Sequence, residues 1–142
     1  MNQKQIKLAK WLTILGAIPF VACLALAMSN LDKVHAEYFS ITYGAVIASF
    51  LSGMHWGLYL TQADTTRVNL LITSNIITLL AWLSLLIVYP TAQYCIQIFC
   101  FMSLLMIDRK LMAEGIIHQW FYWPRVAASA VVIISLLALA FI

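Results

Sequence analysis

The sequence predicts an all-α integral membrane protein: a five-helix transmembrane bundle with its N-terminus inside and its C-terminus outside. Three observations carry this. Of the 142 residues, 64% are hydrophobic and only 9% charged, against roughly 25% charged in soluble domains. The apolar residues gather in five runs, 11–28, 38–60, 68–89, 92–107 and 126–142, near the length of about 20 residues that a spanning helix needs. Lysine and arginine fall between the runs with a one-sided bias, which orients a membrane protein.

The first run follows Lys4, Lys7 and Lys10, and Ala25-Leu26-Ala27 near its end resembles a signal-peptide cleavage site. It is read as a retained helix. The second and third runs have ample length. The fourth is short, but its helix can continue past Asp108 to Glu114, with Gly115 as its cap. The stretch 108–125 mixes charges with Ile116, Ile117, Trp120, Phe121, Tyr122 and Trp123, the composition of an interfacial segment. Pro124 suits the first turn of a last helix. No internal repeat or linker divides the chain, so 1–142 forms one domain.

With the N-terminus inside, the inner segments hold Lys4, Lys7, Lys10, Arg67, Arg109, Lys110 and Arg125, and the outer segments Lys33 alone. Trp11, Trp56, Trp120 and Trp123 fall near the same inner interface, where indole rings prefer to lie. The net charge of +3 is therefore an orientation signal and not a nucleic-acid footprint. Cys23, Cys95 and Cys100 lie inside apolar runs without a Cys-x-x-Cys pair, as buried small hydrophobes do. No disulfide framework or metal site is indicated.

The second run is the most informative. Ala45, Ser49, Gly53 and Gly57 recur every fourth residue, and Gly44, Ala48 and Ser52 form a second column beside them. Small residues on one face let membrane helices approach closely, so this helix belongs at the centre of the bundle, packing internally or against a second chain. His55 lies five residues before Leu60, about 7–8 Å from the inner helix end. An ionisable group at that depth is either a functional candidate or a neutral interhelical partner. Asp108, at the inner end of the fourth helix, can approach both Arg125 and His55. The candidate polar cluster is thus His55, Trp56, Asp108, Trp120, Tyr122 and Arg125, with the ordinary alternative that Asp108 only fixes a helix end by pairing with an arginine. Asn75, Thr78 and Gln97 read as hydrogen-bonding partners between helices.

No Asp or Glu occupies the middle of a run, which argues against a proton- or cation-driven pump. No HExxH or i,i+4 histidine pair is present, no inverted repeat suggests a transporter, and no nucleophile has a matched base. A catalytic set is therefore not expected.

The stretch Tyr43-Gly44-Ala45-Val46-Ile47-Ala48-Ser49-Phe50-Leu51-Ser52-Gly53-Met54-His55-Trp56-Gly57 resembles the second-helix signature of the bacterial membrane-protein family called domain of unknown function 3429, whose eukaryotic relatives include transmembrane protein 69. Ala81-Trp82 and the late Asp108, Arg109, Trp120 and Arg125 extend the likeness over most of the chain. The resemblance implies a bacterial inner-membrane (or mitochondrial) setting and no mechanism.

The sequence thus leads to a non-enzymatic inner-membrane protein, an accessory, assembly or scaffold subunit acting through helix–helix contacts with other subunits or itself. The alternative is a binder or carrier of a lipid or quinone at the inner polar cluster. Membrane lipids are the expected surroundings, and no cofactor, other than a bound lipid or quinone in that alternative, is expected.

Overall fold

The computed structural model describes residues 1–62 and 66–142. Every regular element among them is an α-helix: α1 (Gln3–Leu15), α2 (Ile18–Met28), α3 (Lys33–Gln62), α4 (Leu70–Ser84), α5 (Pro90–Ala113) and α6 (Gln119–Phe141). Three stretches are long and apolar enough to cross a membrane, Gln3–Met28, Pro90–Ala113 and Gln119–Phe141, and α4 is a shorter apolar helix.

The first apolar run is a broken helix that begins well before residue 11. Asn2 and Gln5 start it with a reciprocal capping box. The break at Gly16 and Ala17 has a definite cause. Pro19 lacks the N–H that Leu15 would need to continue the helix, and Phe20 N–H turns to Ala17 instead of Gly16. The Gly16 carbonyl so released accepts a hydrogen bond from Tyr43 Oη at 3.1 Å. The kink is therefore pinned to α3.

The third run is a shorter helix than 68–89. Asn69 caps α4 by accepting from Ile72 N–H. The helix ends at Ser84 in a tighter turn, with Leu85 N–H donating to Trp82 and Leu86 N–H to Leu83, and Pro90 holds Tyr89 in extended backbone (φ −90°, ψ 111°) and starts α5. Its 15 residues reach about 22 Å, short of the roughly 30 Å hydrocarbon thickness.

The stretch 108–125 is divided between two helices. α5 runs on to Ala113 and stops in a Schellman turn: Gly115 takes φ +75°, Ile116 N–H donates to Leu111 at 2.9 Å and Gly115 N–H to Met112 at 3.0 Å. α6 starts at Gln119, which places Pro124 inside it, leaving the Trp120 carbonyl without its helical donor.

α3 packs against α2, α4 and α5, while α6 packs against α1, α2 and α5, and α4 against α5 closes the ring. The core follows a column of small residues on α3, Ala36, Ser40, Gly44, Ala48 and Ser52, all buried. Phe20, Tyr94, Phe101 and Leu104 fill the space beside it. At Gly44 a Cβ would collide with Gln97 Oε1, so any larger residue would displace the Gln97 amide. Gln97 in turn donates to the Ile41 carbonyl (2.6 Å) and to Ser84 Oγ (3.2 Å), tying α5 to α3 and α4.

The column Ala45, Ser49, Gly53 and Gly57, one position further along, turns out of the core towards its C-terminal end. Ala45 is buried and Ser49 half-buried, but Gly53 and Gly57 are exposed, and a Cβ added at either meets nothing within 4 Å. Inside this chain, close approach uses the neighbouring column. Asn75 also turns outward and donates to Leu71 of its own helix instead of bridging helices.

Candidate functional site

Near the C-terminal end of α3, three ionisable side chains from three helices meet in the interior. Asp108 of α5 sits between His55 of α3 and Arg125 of α6, and each is at most 4% exposed. The buried faces of the helices bring them there. His55 follows Ser52 on the small-residue face, Asp108 shares with Gln97, Phe101 and Leu104 the inward stripe of α5, and Arg125 lies one turn before Ser129 on the buried face of α6.

The Asp108 carboxylate is engaged through both oxygens. His55 Nε2 lies 2.8 Å from Oδ1, while Arg125 Nε donates to Oδ2 at 2.8 Å and Nη2 lies 2.6 Å from the same atom. An ionised carboxylate has only acceptors, so His55 bonds it through Nε2–H. His55 Nδ1 is buried with no hydrogen-bond partner among the described residues. Asp108 and Arg125 pair as opposite charges. A buried charge left without its counter-ion is far costlier than a paired one, which is why these residues stand together.

Beside the triad lies a cavity of about 320 Å³ bounded by α1, α3, α5 and α6. Its wall is almost entirely apolar: Leu12, Phe50, Met54, Phe101 and Val132 contribute most of its character. Arg125, Ser129 and Thr13 supply the polar exceptions. The Phe121 ring lies 5.8 Å from the Arg125 guanidinium carbon, a cation–π distance. The cavity exists because α1 packs on α6 and α2 on α3, so the kink at Gly16 leaves the seam between α1 and α3 open.

Of the sequence candidates, His55, Asp108 and Arg125 come together. Trp56 faces outward and is exposed. Trp120 is half-buried and stacks on His118. Tyr122 is buried in a separate apolar cluster with Leu70, Leu111 and Ile117. Phe121, Ser129 and Thr13 carried no distinguishing sequence signal, since Phe, Ser and Thr recur throughout the apolar runs. Ser129 could have been found from its place one turn after Arg125.

Apolar helices of spanning length around a buried His–Asp–Arg triad define an all-helical membrane protein. Residues 5–141 match the family described as "Protein of unknown function (DUF3429)", and the chain belongs to that family. It is also 34% identical to transmembrane protein 69 of Xenopus tropicalis over 83 residues. That match covers 56% of this chain and 33% of the relative, so the chain spans about a third of the length of the curated relative it matches. No solved structure matches it.

Proposed function

We propose that this protein is a multi-pass membrane protein that binds or carries an amphipathic small molecule, a lipid or quinone, at the cavity beside Arg125. The observation that carries this reading is a cavity with an apolar wall and one guanidinium, itself fixed in direction by Asp108. Ligand sites are commonly apolar hollows with a few placed polar groups. Leu12 and Phe50 belong both to the cavity wall and to the exposed surface, which gives a ligand an entrance from the acyl-chain region.

In this reading the broken α1–α2 counts as one span, and α3 to α6 supply four more, with the N-terminus inside. Lys33 Nζ donates to the Ile142 carbonyl at 2.8 Å, which supports an even number of crossings between the start of α3 and the end of α6. Because Arg125 is buried against Asp108, it no longer counts as an orientation charge. Lys4, Lys7, Lys10, Arg67, Arg109 and Lys110 remain on the inner side against Lys33. The setting is the bacterial inner membrane.

A second reading is an accessory or assembly subunit that docks a partner helix on α3. It is favoured by the open space around Gly53 and Gly57, the surface that membrane helices use to associate. Native mass spectrometry of gently extracted protein separates the two. A persistent adduct of lipid or quinone mass, lost when Ala128→Leu narrows the cavity, is expected. Defined partner subunits without any adduct would sink the binder and leave the subunit.

A further inference from the structure

The cavity beside Arg125 has a charge balance that selects its ligand, and this inference rests on the binder reading above. Arg125 commits Nε and Nη2 to Asp108, and its Nη1 makes no hydrogen bond with the described residues. One turn further along the same face of α6, Ser129 also lines the cavity, and its hydroxyl has no hydrogen-bond partner among them. Two residues with an unused donor therefore stand in a wall whose other polar side chain, Thr13, already donates to the Ala9 carbonyl. Because Asp108 already pairs the Arg125 guanidinium, those donors act with its positive charge offset.

An anionic headgroup placed there would bury one unbalanced negative charge in a low-dielectric site. A neutral oxygen acceptor takes the same hydrogen bonds without that cost. We propose that the cavity is a site for an uncharged, carbonyl-bearing amphiphile, its carbonyl oxygen accepting from Arg125 Nη1 and Ser129 Oγ and its apolar part lying against Phe50, Met54, Phe101 and Val132. At about 320 Å³ the hollow suits a ring or a single chain segment better than a two-chain phospholipid. The shared chemistry is the carbonyl, which a quinone ring or an acyl ester can supply.

The test uses the full chain in phosphatidylcholine nanodiscs, titrated by native mass spectrometry with decylubiquinone, dodecyl acetate and dodecyl phosphate. At least one of the two neutral carbonyl probes is expected to bind with 1:1 stoichiometry, at least tenfold tighter than dodecyl phosphate. Binding of decylubiquinone alone identifies the quinone source. Binding of dodecyl acetate identifies an ester source. Ser129→Ala is expected to weaken the bound probe about fivefold, the worth of one neutral hydrogen bond, while leaving the melting temperature in place. Ala128→Leu is expected to abolish binding. Equal or tighter binding of dodecyl phosphate overturns the carbonyl inference and leaves the binder reading standing. Failure of all three probes overturns both, and binding that survives Ala128→Leu places the site elsewhere and overturns the inference.

Discussion

Asp108 is the residue on which the others depend. It holds two partners from two other helices, so Asp108→Ala strands a guanidinium and an imidazole in the interior at once. Removing one member of a buried pair costs about 3–5 kcal/mol, and a large fall in thermal stability in detergent is the expected result. His55→Ala removes only the donor to Oδ1, for which about 1–3 kcal/mol applies. Position and function separate when the whole triad is exchanged. Apolar replacement of a complete buried ion set is often neutral or stabilising. Asp108→Leu with Arg125→Met and His55→Phe is therefore expected to recover most of the lost stability and still bind no amphiphile. If that triple variant keeps its ligand, the triad serves packing alone. Sequence reasoning could reach this set because charged groups in apolar surroundings must pair. It could not choose between Arg109 and Arg125 from composition, but helix geometry does. Arg109 points about 100° away from Asp108 on the same helix and is exposed, whereas Arg125 approaches from another helix.

At the scale of elements, α3 carries two columns of small residues one position apart, and only their neighbours decide which one packs. Gln97 presses on Gly44, so the column through residues 40, 44, 48 and 52 faces inward. Gly44→Ala is expected to cost about 1–3 kcal/mol through overpacking. Gly53→Ala and Gly57→Ala meet open space and are expected to leave the isolated protein unchanged or stabilise it by up to about 1 kcal/mol through helix propensity. Melting curves of the three variants check this directly. If the glycine at 53 or 57 instead seats a partner helix, its alanine variant releases that partner without lowering the melting temperature. The existence of each helix was legible because an apolar run in a membrane has no other way to satisfy its backbone. The ends were not, because they depend on single residues such as Pro19, Pro90 and Gly115 acting within otherwise continuous runs. At the start of α3, Asp32 accepts from both the backbone N–H and the ring of His35. The hydrogen bond from the His35 side chain holds the Asp32 carboxyl below its ordinary 3.8. A lowered carboxyl stabilises the fold above its unfolded value and loses that contribution as pH falls through the folded one. Amide exchange in the first turn of α3 should therefore quicken as acid protonates Asp32, while the middle of the helix stays protected. Equal exchange in Asp32→Asn and the parent at every acidic pH would show that the charge does not hold this turn.

For the whole molecule, the decisive feature is that the kinked α1–α2 unit, α3, α5 and α6 surround one cavity at the end of the bundle where positive charge gathers. The proposed five-span topology assigns each connection to one face of the membrane. α4, at about 22 Å, can cross only where the bilayer thins or where flanking residues complete the span, so it is the element on which a five-span topology most depends. Labelling of single-cysteine variants by a membrane-impermeant maleimide tests this in intact cells and in opened membranes, with Cys23, Cys95 and Cys100 replaced by alanine. A cysteine at Lys33 is expected to react from outside. Cysteines at Lys7, Arg67 and Lys110 are expected to react only after the membrane is opened. If position 67 reacts from outside while 7 and 110 do not, α3 fails to cross and the charge bias has misled. If position 110 alone reacts from outside, α4 and α5 do not form two separate spans. In either case Asp108 and His55 would stand towards opposite faces of the bilayer. The 2.8 Å contact between them therefore makes the topology and the triad stand or fall together.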